Sequence, residues 1–114
     1  MIAVIFELQP NADAAARYFE IAAQLKPALE QCDGFISVER FESLAQPGRY
    51  LSLSFWRDED AVRAWRNHPD HRCGQQEGRS GVLAGYRLRV AAVLRDYGMT
   101  DRDAAPADSR ASLL

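Results

Sequence analysis

Phe55-Trp56-Arg57-Asp58-Glu59-Asp60-Ala61-Val62-Arg63-Ala64-Trp65-Arg66-Asn67-His68-Pro69-Asp70-His71-Arg72 is the stretch whose reading decides the fold. It joins the end of an alternating strand to a helix and sets both histidines of the chain directly behind that helix. Tyr50 to Trp56 alternates strictly, the period of a strand. Asp58 to Asn67 opens with three acids, which a helix favours beside the positive end of its dipole. Pro69 interrupts this helix, but proline is tolerated in a first helical turn, so His68 to Gly78 is expected to resume as a second short helix.

Upstream, Phe35 to Ser43 alternates as another strand, and the turn Ala45 to Arg49, with Pro47-Gly48, joins it to Tyr50–Trp56 as a hairpin. Ile2 to Gln9 reads as a first strand that stops at Pro10-Asn11, where proline removes a ladder donor and asparagine can cap a helix. From Asn11, residues Tyr18, Ile21, Ala22, Leu25, Ala28, Leu29 and Cys32 recur at helical spacing, and Asp33-Gly34 ends the helix. Pro27 deletes an interior hydrogen bond, so a kink or break is expected near Gln24 at a cost of about 3 kcal/mol. Downstream, Val82 to Tyr97 is expected to be a long final strand. Residues 98–114 turn small, polar and charged and read as a disordered tail, which leaves 1–97 as the domain. The order is that of an α+β, ferredoxin-like βαββαβ fold, an antiparallel sheet with helices on one face.

A chain of 114 residues is one domain with a single core. A formal charge of -2 offers no basic excess for nucleic acid or an anionic membrane. Ile2 to Phe6 is apolar but short and meets Glu7 at once, so it is neither a leader nor a membrane span. Two cysteines, Cys32 and Cys73, are too few for a disulfide framework and fit reduced thiols in a cytoplasmic setting.

The strand period divides the side chains into two faces. The smoother apolar set, Val4, Phe6, Leu8, Ile36, Val38, Leu51, Leu53, Phe55, Leu88, Val90 and Ala92, is expected under the helices. The mixed set, with Glu7, Phe41, Ser52, Ser54, Trp56, Arg87 and Arg89, is too apolar for water and too polar for a dry core. Pairing it with a second copy is expected to make a homodimer and to enclose a cavity for a small, mostly apolar ligand.

Several pieces together resemble the antibiotic biosynthesis monooxygenase superfamily of dimeric α+β barrels. They are the Asp33-Gly34-Phe35 turn, Ser37-Val38-Glu39-Arg40-Phe41, Leu53-Ser54-Phe55-Trp56, Ala61-Val62-Arg63-Ala64-Trp65, His71 after it, and Tyr86 to Val93. The resemblance implies a cofactor-independent monooxygenase, in which a small phenolic or quinol-type aromatic is deprotonated and its anion passes an electron to molecular oxygen. No cofactor is expected, since no Gly-x-Gly-x-x-Gly follows a strand. Heme-degrading relatives carry an asparagine on the first strand, a tryptophan on the second helix and an iron-ligating histidine after it. Trp65 matches, but Glu7 and Gln75 stand at the other two places, which disfavours heme chemistry.

His71, Gln75 and Arg79 advance by four residues, drifting about 40° per step, and can share one helical stripe. His71 is the candidate base, with surface or capping duty as the plain alternative. Glu7 and Arg89 are further catalytic candidates on the presumed cavity face, where a structural ion pair is the plain alternative. Trp56, Trp65, Phe41, Ser52, Ser54, Gln75 and Arg79 are the candidate substrate-binding residues. His68 is expected to begin the second helix, and with His71 it lacks a third ligand, so no metal site is expected. A non-catalytic module holding an apolar metabolite in the same cavity is the alternative to an enzyme.

Overall fold

The computed structural model describes residues 1–110. Strand β1 is Ile2–Pro10, α1 Ala15–Glu30, β2 Phe35–Glu42, β3 Tyr50–Trp56, α2 Glu59–Arg66, α3 Pro69–Glu77, β4 Leu83–Ala92 and α4 Ala107–Arg110. The four strands form one antiparallel sheet in the order β2-β3-β1-β4, as the ferredoxin-like reading requires. The helices α1, α2 and α3 cover one face of it. Leu29, Trp56 and Ala61 form the buried cluster there, with Ile2, Val4, Val38, Val62 and Trp65 packed around them.

Register decides which side chains share that face. Val4 on β1 stands opposite Ser54 on β3 and Val90 on β4, and Ser54 stands opposite Val38 on β2. The next row is Arg40, Ser52, Phe6 and Leu88. These rows lie under the helices. Glu7, Leu51, Leu53, Phe55, Phe41, Arg87 and Arg89 therefore point to the other face. This corrects the sequence reading of β3, which puts Leu51, Leu53 and Phe55 beneath the helices and groups Ser52, Ser54 and Trp56 with Glu7. The alternation is as expected and its phase is inverted. Both faces of β3 are apolar enough to be covered, so hydrophobicity alone cannot choose, whereas Trp56, the largest side chain of the strand, needs a buried site and takes one at 2% exposure.

Local chemistry explains the helix boundaries. The Asp58 carboxylate accepts the Ala61 N–H at 2.9 Å and caps α2. His68 Nδ1 accepts the Asp70 N–H at 3.2 Å, and Pro69 fills the first position of α3, so the two-segment reading of this region holds. Asn11 does not cap α1. Its N–H donates to the Val82 carbonyl at 2.9 Å and its side-chain amide to the Gly81 carbonyl at 2.7 Å, tying the end of β1 to the wide turn Gly78–Val82 that precedes β4. Helix α1 runs through Pro27 without the expected break. Pro27 and Ala23, whose carbonyl loses its partner, are both exposed, so water can satisfy that carbonyl.

β4 ends at Ala92 rather than Tyr97, although the Val93 N–H still donates to the Met1 carbonyl at 3.0 Å. Residues 98–110, expected to be a structureless tail, show turns and the four-residue α4. Arg102 stacks on Tyr97 with 5.6 Å to the ring centroid, and Arg110 Nε donates to the Ala105 carbonyl at 3.1 Å. The rest of the expected tail, 111–114, lies outside the described residues.

Gly34 locks α2 to the start of β2. Its φ is 87°, its carbonyl accepts the Arg57 N–H at 2.7 Å, and a Cβ built on it would stand 2.7 Å from the Ala61 Cβ. Gly48, with φ 89°, has nothing within 4 Å of such a Cβ. Gly48→Ala should cost only the left-handed strain, about 1–2 kcal/mol. Gly34→Ala should cost that strain and a clash of a further ~1–3 kcal/mol. Thermal unfolding of the two variants checks this, and equal losses would contradict the close packing of Gly34 on α2.

Candidate active site

A cavity of about 460 Å³ lies between the sheet and the helices of the single chain. Its floor is the two cross-strand rows, from Val38 to Val90 and from Arg40 to Leu88; its roof includes Ile21, Ala22 and Leu25 of α1 and His71 and Gly74 of α3. Gly74 lets α3 close on α1, since a Cβ there would meet Leu25 Cδ1 at 3.2 Å and Ile21 Cγ2 at 3.3 Å. Trp56 and Leu29 seal one end of the space beneath the helices, and Leu8 and Val82 are buried towards the other.

His71, Gln75 and Arg79 all line this space, together with Trp56, Trp65, Ser52 and Ser54. Seven of the ten sequence candidates thus meet in one place, and the helical stripe is as expected. The other three do not join them. Glu7 accepts hydrogen bonds from Arg49 at 2.9 Å and from Arg89 at 3.0 Å on the opposite face of the sheet, and Phe41 lies on that face too. A cavity inside the single chain thus lies on the helix side of the sheet, while Glu7 and Arg89 pair on the face where the expected cavity between two subunits would form. Tyr18, Arg40, Arg66 and Arg72 also line the cavity and are missed by the sequence reading. Two of them have a signal: Tyr18 shares the helical stripe of Ile21, Ala22 and Leu25, and Arg40 shares the phase of Val38 on β2.

The polar lining is sparse and specific. Ser54 Oγ accepts the Trp56 indole N–H at 2.9 Å, which leaves its own hydrogen for another acceptor. The His71 ring lies 5.1 Å from the Trp65 ring, and Trp65 also meets the His68 ring at 5.4 Å. His71 Nδ1 is 3.4 Å from the Arg66 carbonyl. With the proton on Nδ1 donated there, Nε2 carries the free lone pair. Burial pushes the His71 imidazole below its ordinary pKa; the hydrogen bond to the Arg66 carbonyl opposes this, and the neighbouring Arg72 and His68 act with burial. The His71 imidazole is therefore mainly uncharged at neutral pH, in a mostly apolar chamber.

A family model described as antibiotic biosynthesis monooxygenase matches residues 1–77, more than half of the sequence. The chain belongs to the antibiotic biosynthesis monooxygenase family. A fungal relative from Pyricularia oryzae, named jasmonate monooxygenase ABM, is 48% identical over 93 residues, covering 82% of this chain and 43% of its own length. The chain thus spans less than half of that relative. A candidate antibiotic biosynthesis monooxygenase from Deinococcus radiodurans superposes with a TM-score of 0.77 at 18% identity, covering 88% of this chain and 99% of its own. SnoaB, a cofactor-independent oxygenase from Streptomyces nogalater whose structure is that of a point mutant, superposes at 0.72 with 13% identity, covering 83% and 94%. At these identities the two structures establish the fold this member of the family shares with them. Among the described residues, no group of three or more His, Cys, Asp or Glu side chains is placed to hold a metal ion, and no helix is long and apolar enough to cross a membrane.

The His71 shift has a stability consequence. Its folded pKa lies below the unfolded value of about 6.5, so the unfolded chain binds the proton first as pH falls. Native stability should be undiminished by this group above about 6.5 and fall as pH drops from there through the folded pKa. Asp33 and Glu77, held low by Arg57 and Arg17, and Asp58, held low by the Ala61 N–H and then Arg57, act only at more acid pH. Melting temperatures between about pH 8 and 5 should decline more steeply for the wild type than for His71→Gln; parallel slopes would show His71 to be solvated.

Proposed function

We propose that the chain is a cofactor-independent monooxygenase that oxidises a small, mostly apolar phenolic or quinol-type compound with molecular oxygen. The observation that carries this is His71 in the wall of an apolar cavity, pushed towards its uncharged form by burial, with Nδ1 3.4 Å from the Arg66 carbonyl; a proton on Nδ1 donated there leaves Nε2 to accept. In this reading His71 takes the acidic proton of the substrate, and the resulting anion is electron-rich enough to reduce oxygen by one electron. Recombination of the two radicals makes a carbon–oxygen bond as a peroxide, which regains the proton held by His71. Loss of the proton on the same carbon then breaks the O–O bond, leaving a carbonyl on the product and one water, so all four electrons come from the substrate and no external reductant is consumed. The Ser54 hydroxyl, oriented by the Trp56 indole, donates to the developing anion, and Trp65, its ring tilted at 45° to that of His71, forms an apolar wall beside it. The family membership and the fold shared with a cofactor-independent oxygenase support the reading. The name of the fungal relative makes jasmonate a second compound to offer.

The bare sheet face with Ile5, Leu51, Leu53 and Phe55 on it supports a homodimer formed through that face. In such a dimer each chain keeps its own cavity, since the helices cover the opposite side of the sheet.

Oxygen consumption with a panel of hydroquinones, and with jasmonate, tests the activity without added reductant. One of these should support uptake, and His71→Ala should lower kcat by about 10²–10⁴-fold with the far-ultraviolet circular dichroism unchanged. Full turnover in that variant would clear His71 of the role, and no uptake with any compound would turn the cavity into a binding site without this chemistry.

A further inference from the structure

The charges around the cavity are segregated in a way the monooxygenase reading does not require. Four arginines, Arg40, Arg66, Arg72 and Arg79, line its exposed rim, and no aspartate or glutamate lines it at all among the described residues. Acids are not scarce, since the chain has 16 of them against 14 basic residues. Elsewhere the acids are spent on other arginines: Arg17, Arg49, Arg57, Arg63 and Arg89 all sit in ion pairs, and none of the five lines the cavity. Among the described residues the four rim arginines make no salt bridge. Two of them have phenols as partners instead. Arg40 Nε donates to the Tyr18 hydroxyl at 3.3 Å, and Arg79 Nη1 donates to the Tyr86 hydroxyl at 3.4 Å, and both tyrosines line the cavity as well.

Arg40 lies on β2 and Tyr86 on β4, the two edge strands of the sheet, so the two arginine–tyrosine pairs flank the apolar floor from opposite sides. A guanidinium stays charged at any working pH and offers a planar fork of donors suited to a carboxylate. A neutral phenol fixes one arm of that fork without cancelling its charge. Clefts lined by one sign of charge concentrate ligands of the other sign. We infer that the ligand of this cavity is an organic anion, an apolar body bearing a carboxylate, whose charged group is held by Arg40 or Arg79 while the body lies on Val4, Phe6 and Val38. The inference rests on the cavity described above but does not need the oxidation to occur.

The probes are 1-naphthoate and its methyl ester, an apolar bicycle with and without the charge, with binding followed by tryptophan fluorescence quenching at low salt. The acid should bind at least about tenfold more tightly than the ester and should weaken as salt is raised. Arg40→Gln or Arg79→Gln should erase most of this difference by weakening the acid alone, with the circular dichroism unchanged. Equal affinities for acid and ester, no saturable binding of the acid, or a preference that survives both substitutions would each overturn the inference. Acid selectivity without oxygen uptake would leave the anion site standing and remove the oxygenase; uptake without acid selectivity would do the reverse.

Discussion

The inward burial of Trp56 fixes the phase of the sheet, and the site follows from it. Trp56 is the larger of the two big side chains buried almost completely, and it packs edge-on to Phe35 at 5.3 Å beside Leu29 and Ala61. Truncating a tryptophan in such a place costs about 3–5 kcal/mol, a large part of the stability of a domain this size. Because strand side chains alternate, an inward Trp56 forces Ser54, Ser52 and Tyr50 inward and Leu51, Leu53 and Phe55 outward. The two serines thereby enter the space under the helices, where the core opens into a cavity between Trp56 at one end and Leu8 at the other. The indole N–H needs a partner at that depth and finds the Ser54 hydroxyl, so the residue that sets the phase also orients a polar group of the site.

The same phase sorts the charges. Glu7 faces away from the cavity and is engaged by Arg49 and Arg89, which keeps the carboxylate nearest the sheet centre out of the chamber. His71 is left among arginines and aromatic rings with no acid to raise its pKa, and burial lowers it instead. An imidazole in that setting is neutral, which suits a proton acceptor, and the surrounding positive charge favours the anion that proton loss would create.

Much of the fold is legible in the sequence because its signals are local. The alternation of Tyr50–Trp56, the acidic start of the helix at Asp58-Glu59-Asp60, the Pro69 restart and the Gly34 turn each report a few neighbouring residues, and all four hold in the structure. The phase of β3 is not legible, since a period of two divides residues into faces without saying which face the helices cover, and here the outward set is the more uniformly apolar one. That single inversion groups Glu7, Arg89 and Phe41 with Ser52, Ser54 and Trp56, which the structure sets on opposite faces of the sheet. The stripe His71, Gln75 and Arg79 survives because helical spacing within one segment does not depend on sheet phase. Pro27 misleads for a different reason: the cost of a missing hydrogen bond depends on whether water reaches the freed carbonyl, which spacing does not reveal.

The central claim, that ligand enters the space under the helices and not the opposite sheet face, is tested most directly by intermolecular nuclear Overhauser effects between bound 1-naphthoate and assigned side chains. The phase set by Trp56 predicts contacts from the naphthyl protons to the Val4 and Val38 methyls and the Trp65 ring. Contacts to the Leu51 and Leu53 methyls or the Phe41 ring in their place would contradict it.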